Sequence, residues 1–526
     1  MSRLLIFTVL GLNCMLFGTN YYLPSSSVSG DTLCTNEMQR VIGISYFKKV
    51  TLRGGDTVFF EPGEHMWVDN QPDPHPSFRV SYLEHSGADG NPIVLTAKDG
   101  PGTVLIKSED ITRTLFLVWA SNITFENLGF KGADHNIYAE TRGNDTIRNI
   151  TIRNCTFEGF TRHDFIKGQI VDNMIIERCI FNPDKIDSTV NDQWIDMLGV
   201  WGGFIRDNIF YGRGKSTRHI QVKGHSKDVI IERNTIYNGG VVYLGGSTGP
   251  EWFRGDPLGP ECENLTFRNN VLDGNNLELP RAFSCKIYNN TIIGSRWTVI
   301  AWFDCSKDGG HAFFNNLFIN CGRYEVGGGA VDTGNTGGNN MFYNCSGTRP
   351  GWLTNNQVQG NPLLTDITNN DFYSRDYKIS AQTSSACNAG VSLDFNTDMT
   401  GGPRPLDGGW DIGAHEYGNV VNIGNINKSQ VWNIKPEITV WPNPFTNNIS
   451  ISLHGYLIRD KQQTISVYNT QGKLVWSKPS TVSSVAATTM DWDGSDNYGT
   501  PVSAGTYIIK IGYGIRNINK QITVVR

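Results

Sequence analysis

The stretch KDVIIERNTIYNG, residues 227–239, contains two apolar runs that are separated by a polar pair. Val229, Ile231 and Ile236 have the spacing of buried strand positions, and Arg233 and Asn234 lie between them. Side chains alternate between the two faces of a straight strand. Because Ile231 and Ile236 are five positions apart, an odd difference, one straight strand cannot direct both inward. The stretch therefore predicts a corner at the polar pair.

The same arrangement recurs along the chain, with apolar residues three before and two after each position equivalent to Asn234. Successive positions differ by 27, 24, 29, 26, 36, 20, 26 and 29 residues, a period typical of a solenoid. The preceding residue is Asn, Asp or Arg, and Asn and Asp tolerate the left-handed backbone of a tight corner. We expect stacked Asn side chains to hydrogen-bond between coils. The aligned positions are Leu128, Cys155, Cys179, Asn208, Asn234, Asn270, Asn290, Asn316 and Cys345.

Composition agrees with an all-β protein. The 526 residues include 58 Gly and only 18% charged residues. The net charge of -5 is spread without long runs, which argues against nucleic-acid binding. An antiparallel sandwich is the alternative, but it would show turn dipeptides every 8 to 12 residues or so.

These coils resemble those of right-handed parallel β-helices, the fold of pectate lyases and related polysaccharide-active proteins. The segments GGDTVFFEPGEHMW at 54–67 and GNPIVLTAKDGPGTVLI at 90–106 are similar to opening coils of that group, and WDIGAHEY at 410–417 is similar to a common closing coil. The resemblance implies a right-handed parallel β-helix, which we assign to residues 20–418.

The two ends of the chain carry different signals. Arg3 and the short apolar run after it predict a secretory signal peptide at 1–19. A polar linker at 419–436 precedes a β-rich unit at 437–526, for which we predict a small β-sandwich of immunoglobulin-like type.

The C-terminal unit resembles the C-terminal sorting domains of the type IX secretion system. The resemblance is carried by VWPNPFTNNISI at 440–451, VYNTQGKLVW at 467–476 and GTPVSAGTYIIKI at 499–511. It implies a protein that the type IX machinery exports, so that it is secreted or held on the outer surface of a Gram-negative bacterium. We expect a monomer with no membrane span in its mature form.

Cysteines and acidic residues do not indicate a metal. Ten cysteines are scattered without C-x-x-C pairs, and the odd number left after the signal peptide argues against a disulfide framework, although one or two disulfides are compatible with it. Asp491, Asp493 and Asp496 lack the Glu that an EF-hand needs at position twelve, where Val502 stands. No cofactor is identified, and calcium stays open.

A second strand follows the corner in each coil, for example RHIQVKG at 218–224. If Ile220 and Val222 point inward, Gln221 and Lys223 point outward. We expect neighbouring coils to add polar residues to this face. We also expect the insertion at 245–262 to place aromatic residues along its edge, as a sugar-binding groove requires. The predicted catalytic residues are Lys223, Arg218, His219, Lys167 and Asp196, and the predicted substrate-binding residues are His163, Tyr243, Arg254, Trp252 and Trp194.

Three functions fit such a groove. The preferred one is a lyase that cleaves a uronic-acid polysaccharide by β-elimination, with Lys223 or Lys167 as the base, its pKa lowered by Arg218. Arg218 or Arg254 would hold the carboxylate, and His219 or His163 would share the proton transfer. The alternatives are a glycan-binding adhesin and a glycoside hydrolase, whose two carboxylates would come from Asp164, Asp192, Asp196 and Asp256.

Overall fold

The structure is a computed structural model of the 526-residue chain. The predicted signal peptide at 1–19 and the predicted linker at 419–436 lie almost wholly outside the residues that the structure describes, which include only Thr19 of these two segments. The described residues are 19–23, 34–36, 39–41, 52–66, 78–80, 87–108, 114–141, 143, 146–159, 161–183, 193–212, 218–296, 299–302, 309–327, 334–418, 437–441, 443–454, 463–480, 488–513 and 516–525.

Three largely parallel sheets, which we call A, B and C, build the larger unit, and the chain visits them in that order in each coil. Strands are numbered β1 to β46 along the chain. Equivalent residues of successive coils stack in register, as Ile231 does on Ile205 and Phe267. This is the architecture of the predicted parallel β-helix.

Sheet A has 16 strands among the described residues. They are β1 Asn20–Leu23, β2 Cys34–Asn36, β3 Gln39–Val41, β4 Thr57–Phe60, β7 Ile93–Ala97, β10 Ile123–Glu126, β13 Ile147–Arg153, β16 Val171–Glu177, β19 Trp201–Arg206, β22 Ser226–Glu232, β25 Cys262–Glu263, β26 Thr266–Arg268, β29 Ala282–Phe283, β30 Lys286–Tyr288, β33 Ala312–Phe314 and β36 Thr336–Gly338.

Sheets B and C have 11 and 10 strands in the same part of the chain. Sheet B contains β5 Gly63–Met66, β8 Val104–Ser108, β11 Gly129–Gly132, β14 Thr156–Glu158, β17 Ile180–Asn182, β20 Ile209–Tyr211, β23 Thr235–Tyr237, β27 Val271–Asp273, β31 Thr291–Ile293, β34 Leu317–Ile319 and β37 Met341–Tyr343. Sheet C contains β6 Phe78–Val80, β9 Phe116–Val118, β12 Ile137–Glu140, β15 Asp164–Gln169, β18 Gln193–Leu198, β21 Arg218–Lys223, β24 Val241–Leu244, β28 Asn276–Pro280, β32 Val299–Trp302 and β35 Tyr324–Gly327.

The predicted corner between sheets A and B is confirmed. Arg233 has a φ of 54°, and the residues that precede the other aligned positions up to Asn316 are also in the left-handed region. This conformation turns the chain so that Ile231 and Ile236 both point into the core, where neither is exposed. The residues with positive φ at this corner are Asn127, Asn154, Arg178, Asp207, Arg233, Asn269, Asn289 and Asn315.

A ladder of buried asparagines runs along this corner, as expected. Asn208 donates to Asn234 Oδ1 at 2.9 Å, and Asn234 donates to Asn270 Oδ1 at 3.0 Å. The ladder ends at Asn340, which accepts from Asn316 at 3.0 Å. The assignment of Cys345 to the last position is therefore wrong, because Asn316 stacks on Asn340 and Cys345 belongs to the next corner of the same coil.

Apolar side chains fill the coil interior in stacked columns. Phe130, Phe157, Phe181 and Phe210 lie one above another in sheet B, with ring centroids 5.2, 4.9 and 4.6 Å apart. These four side chains are fully buried. Because the interior is packed solid, chemistry has to take place on outward-facing residues.

A segment with little regular structure follows the last coils and covers part of sheet B. It contains a 3₁₀ turn at Phe372–Ser374 and the antiparallel pair β38 Leu364–Asp366 and β39 Asp376–Ile379. Arg375 Nη1 bonds both oxygens of Asp273 at 2.8 and 2.7 Å, and the hydroxyl of Tyr377 donates to the same carboxylate. These contacts fasten the segment to strand β27.

The C-terminal unit consists of two antiparallel sheets. One contains β40 Glu437–Trp441, β41 Ile449–His454 and β44 Thr488–Trp492, and the other contains β42 Gln463–Asn469, β43 Leu474–Ser480, β45 Gly505–Tyr513 and β46 Arg516–Val524. Their shared core includes Ile451, Val467, Trp492 and Ile509, as an immunoglobulin-like sandwich requires. Among the residues that the structure describes, none forms a helix with the length and hydropathy of a membrane span.

Candidate active site

Polar side chains form a row across the outer face of sheet C. Alternation along each strand produces this row, because the neighbouring residues Ile166, Ile195 and Ile220 point inward and are fully buried. The prediction that Ile220 and Val222 face the core is confirmed. The row contains, on successive strands, Tyr138, Lys167, Asp196, Gln221, Tyr243 and Glu278.

Two lysines flank one carboxylate at the centre of this row. Lys167 Nζ lies 3.3 Å from Asp196 Oδ2, and Lys223 Nζ lies 3.3 Å from Asp196 Oδ1. The Asp196 side chain is not exposed, whereas 21% of Lys167 and 16% of Lys223 can be reached by solvent. A ligand on the surface therefore meets the two ammonium groups before the carboxylate beneath them.

A chain of histidines and carboxylates continues from Lys167 toward the preceding coil. Asp164 Oδ2 lies 3.7 Å from Lys167 Nζ and 3.2 Å from His135 Nε2. Asp134 then bridges His135 Nδ1 at 3.1 Å and His163 Nδ1 at 2.6 Å. The sequence reasoning included His163 but missed Asp134 and His135. The sequence did contain a signal for them, because ADH at 133–135 and RHD at 162–164 both place a His and an Asp where the chain enters sheet C, at strands β12 and β15.

The carboxylates around Lys167 decide its protonation. Burial disfavours the ammonium, but Asp196 and Asp164 outweigh this effect and raise the pKa of Lys167. The expectation of a lowered pKa is therefore wrong for Lys167, since the charges nearest to it are negative. The carboxylates therefore favour the ammonium form of Lys167.

Arg218, Tyr243 and Glu278 lie on the three strands of sheet C that follow the strand of Asp196. The Arg218 guanidinium is 5.1 Å from the centre of the Tyr243 ring. Burial and the hydrogen-bonded carboxyl of Glu278 raise the pKa of Tyr243, which Arg218 opposes. Burial also raises the pKa of Glu278. Tyr243 thus keeps its proton and lies between a cation and a buried carboxyl group.

The insertion at 245–262 is tied to the end of strand β21. Glu261, which is fully buried, accepts from the backbone of Gly224 at 2.6 Å and from the hydroxyl of Thr248 at 2.6 Å. A Cβ atom on Gly246 would lie 3.1 Å from Lys223 Cβ and 3.3 Å from its Cδ. The first residues of the insertion thus press against the Lys223 stem and limit its conformations.

Two predicted substrate-binding residues lie on this insertion in different environments. Arg254 donates to Asp172 at 2.9 Å and to the Gly199 carbonyl at 3.1 Å, and it stacks on the ring of Trp201 at 3.6 Å. Its guanidinium therefore anchors the insertion. Trp252 is 50% exposed and is available to a ligand.

Trp194 and His219 correct the sequence-based expectation, because both side chains are fully buried. Each points inward together with the isoleucine that follows it, since Ile195 and Ile220 are fully buried as well. The two rings lie 4.3 Å apart in a T-shaped contact. Burial lowers the pKa of His219 to about 3, so the ring is neutral. The same burial keeps the ring away from the outer face of sheet C. Neither residue contacts a ligand on the outer face of sheet C.

The remaining carboxylates of the hydrolase alternative are scattered. Asp256 lies exposed on the insertion, and Asp192 lies outside the described residues. Asp164 and Asp196 are the pair that Lys167 brings together.

One group of side chains near the row has the composition of a metal site. Ligand atoms of Asp134, His135 and His163 lie within 4.8 Å of one another. Two nitrogens and a carboxylate suit zinc better than calcium, which takes about six to eight oxygens. The two imidazole rings are stacked at an interplanar angle of 18°, so their in-plane lone pairs do not converge on one ion. We therefore assign no metal to this group.

Comparison with known proteins supports the fold and the role of the C-terminal unit. Residues 439–525 match the family model of the secretion system C-terminal sorting domain, which marks the chain as a secreted or cell-surface protein. The pectate lyase Pel9A is similar in structure over 77% of this chain and 98% of its own, with 15% sequence identity and a TM-score of 0.51. At this identity the likeness shows the fold alone.

Two further solved structures are similar at lower TM-scores. A rhamnogalacturonan lyase covers 57% of this chain and 82% of its own, with 16% identity and a TM-score of 0.34. An alginate lyase from Paenibacillus sp. str. FPU-7 covers 58% and 94%, with 12% identity and a TM-score of 0.31. No curated protein sequence matches the chain.

Proposed function

We propose that this protein is a secreted, carbohydrate-active enzyme, and specifically a polysaccharide lyase that cleaves a uronic-acid polysaccharide by β-elimination. The observation that carries the proposal is the pair of lysines on either side of buried Asp196, with Arg218 on the strand of Lys223. A polyanion with one carboxylate per sugar is the ligand that these three cations attract. The pectate lyase fold of the chain is in keeping with this reading.

The β-elimination needs a cation for the uronate carboxylate and a base for the neighbouring C5 proton. Arg218 supplies a planar guanidinium that suits bidentate contact with a carboxylate, and Lys167 supplies a second positive charge. Lys223 contacts one carboxylate, whereas Lys167 contacts two. Since the carboxylates around Lys167 favour its ammonium form, we assign Lys223 as the base.

The charges on the row favour elimination over hydrolysis. A glycoside hydrolase needs one carboxyl group that is protonated and one that is ionised, on either side of the bond. Lys167 lies within 3.7 Å of Asp164 and 3.3 Å of Asp196, so the two carboxyl groups lie around one cation and not on either side of a sugar bond. Both carboxylates are also buried beneath the lysines and away from a bound sugar.

The test is activity on pectin, alginate and glycosaminoglycans. Ultraviolet absorbance reports the C4=C5 double bond that a lyase forms, and a reducing-sugar assay runs in parallel. We expect double-bond formation by the wild-type protein, and a loss of about 100-fold or more in Lys223→Met because a positioned base contributes at least that much. Lys227→Met is the matched control, since Lys227 lies on sheet A over the Trp201 ring and outside the row.

Other outcomes would overturn the proposal in distinct ways. New reducing ends without double bonds would identify a hydrolase. Binding of a polysaccharide without either product would identify an adhesin. Equal activity in Lys223→Met and Lys227→Met would retain a lyase but remove Lys223 from its mechanism.

A further inference from the structure

A base and a cation do not complete a β-elimination, because the oxygen that leaves C4 has to be protonated. We propose that Tyr243 donates that proton and that Glu278 positions it, an inference that rests on the lyase reaction proposed above. The chemical class of substrate follows from it: a uronide whose C4 oxygen carries an unactivated sugar.

The position of Tyr243 meets the geometric requirement. Tyr243 pairs with Gln221 on the neighbouring strand, and Lys223 is two residues further along that strand. Neighbouring strands lie about 4.8 Å apart and two residues span about 6.6 Å, so the two Cβ atoms are separated by roughly 8 Å. A sugar bound over strands β21 and β24 therefore lies within reach of both side chains, with its C5 proton toward Lys223 and its C4 oxygen toward Tyr243.

The surroundings of Tyr243 suit an acid. Tyr243 pairs across the strands with Glu278, whose side chain is buried and whose carboxyl group interacts with the Tyr243 hydroxyl. Burial and Glu278 raise the pKa of Tyr243, so the hydroxyl stays protonated until substrate arrives. The Arg218 guanidinium, 5.1 Å from the ring centre, stabilises the phenolate that forms when the proton leaves.

The step is balanced in protons and electrons. The neutral amine of Lys223 takes the C5 proton, and the electron pair of the C5–H bond becomes the C4=C5 double bond. The C4–O4 bond breaks with its electron pair on O4, which takes the phenolic proton of Tyr243. The Lys223 ammonium then returns its proton to water, and the Tyr243 phenolate takes one from water.

Leaving-group dependence tests this role, because an acid is needed for a sugar alkoxide and not for a stable anion. The probes are a uronic-acid polysaccharide that the wild-type protein cleaves and a synthetic uronide with 4-nitrophenolate at C4. We expect Tyr243→Phe to lose about 100-fold or more in kcat on the polysaccharide, the contribution of a general acid, and less than about 3-fold on the nitrophenyl uronide. Lys223→Met should lose activity on both.

Tyr138→Phe is the matched control, since Tyr138 lies in the same row and its hydroxyl donates to Gln169 at 2.6 Å. It should affect the two probes equally. Glu278→Gln should lower kcat on the polysaccharide with little change in KM and spare the nitrophenyl uronide, which a purely structural role would not do.

Two results would overturn the inference. If Tyr243→Phe is equally impaired on both probes while the wild type forms double bonds, the acid is another group and the lyase proposal stands. If the wild type forms no double bond from either probe, the proposed function fails and the role of Tyr243 fails with it.

Discussion

Replacement of Asn234 by alanine tests whether the buried ladder stabilises the β-helix. The Asn234 carboxamide makes four hydrogen bonds and is fully buried. It accepts from the Asn208 backbone at 3.1 Å and side chain at 2.9 Å, and it donates to the Ile205 carbonyl at 2.8 Å and to Asn270 at 3.0 Å. Each bond contributes about 1 kcal/mol net, so Asn234→Ala should lose about 4 kcal/mol in unfolding free energy.

Two further variants calibrate the loss in unfolding free energy that is expected for Asn234→Ala. Asn234→Cys should lose less than Asn234→Ala, because Cys179 shows that a thiol at this position can donate to the equivalent Ile152 carbonyl, at 3.6 Å. Asn361→Ala removes an exposed side chain that accepts one bond from the Leu363 backbone, and it should lose about 1 kcal/mol or less. Urea denaturation followed by circular dichroism measures all three. A loss in Asn234→Ala no larger than that in Asn361→Ala would refute the reasoning.

Two other predictions concern the charge network and the C-terminal unit. Burial opposes protonation of His135, but hydrogen bonds to Asp134 and Asp164 raise its pKa to about 9. Since the pKa of histidine in the unfolded chain is 6.5, protonated His135 should stabilise the protein by about 3 kcal/mol below pH 6.5, and this stabilisation should be lost as the pH rises through 9. Urea denaturation at several pH values should show no such loss in His135→Asn. The same dependence of unfolding free energy on pH in this variant and in the wild type would contradict the prediction. Deletion of residues 439–525 should leave the protein inside a bacterium that has the type IX system. Cell fractionation measures this by comparison with the full chain, and secretion of the truncated chain would contradict the prediction.

The corners could be predicted because their signal is local. A residue in the left-handed conformation is Asn far more often than chance, and apolar residues at fixed distances locate it in each coil. The last coil shows the limit of such a signal. In NNMFYNC at 339–345, both Asn339 and Asn344 have positive φ and precede a corner. Only hydrogen bonding to the previous coil tells which corner continues the ladder, and this is a long-range property.

The candidate site was predictable where strand alternation holds. Lys167, Asp196 and Lys223 follow from alternation and are brought together by it. Trp194 and His219 break the alternation, because two successive residues point inward where the chain enters sheet C. The protonation of Lys167 was not predictable, since it depends on carboxylates that come from two different strands.

In-register stacking has a consequence for the way the chain acquires its structure. Each coil hydrogen-bonds to the coil before it and the coil after it, so the sequence separation of bonded residues stays near one coil length, as in the pairing of Asn208 with Asn234. Such nearest-neighbour coupling lets order spread from any completed pair of coils to the next. A finished coil therefore serves as the template for the following one, and the β-helix can lengthen unit by unit as successive repeats become available.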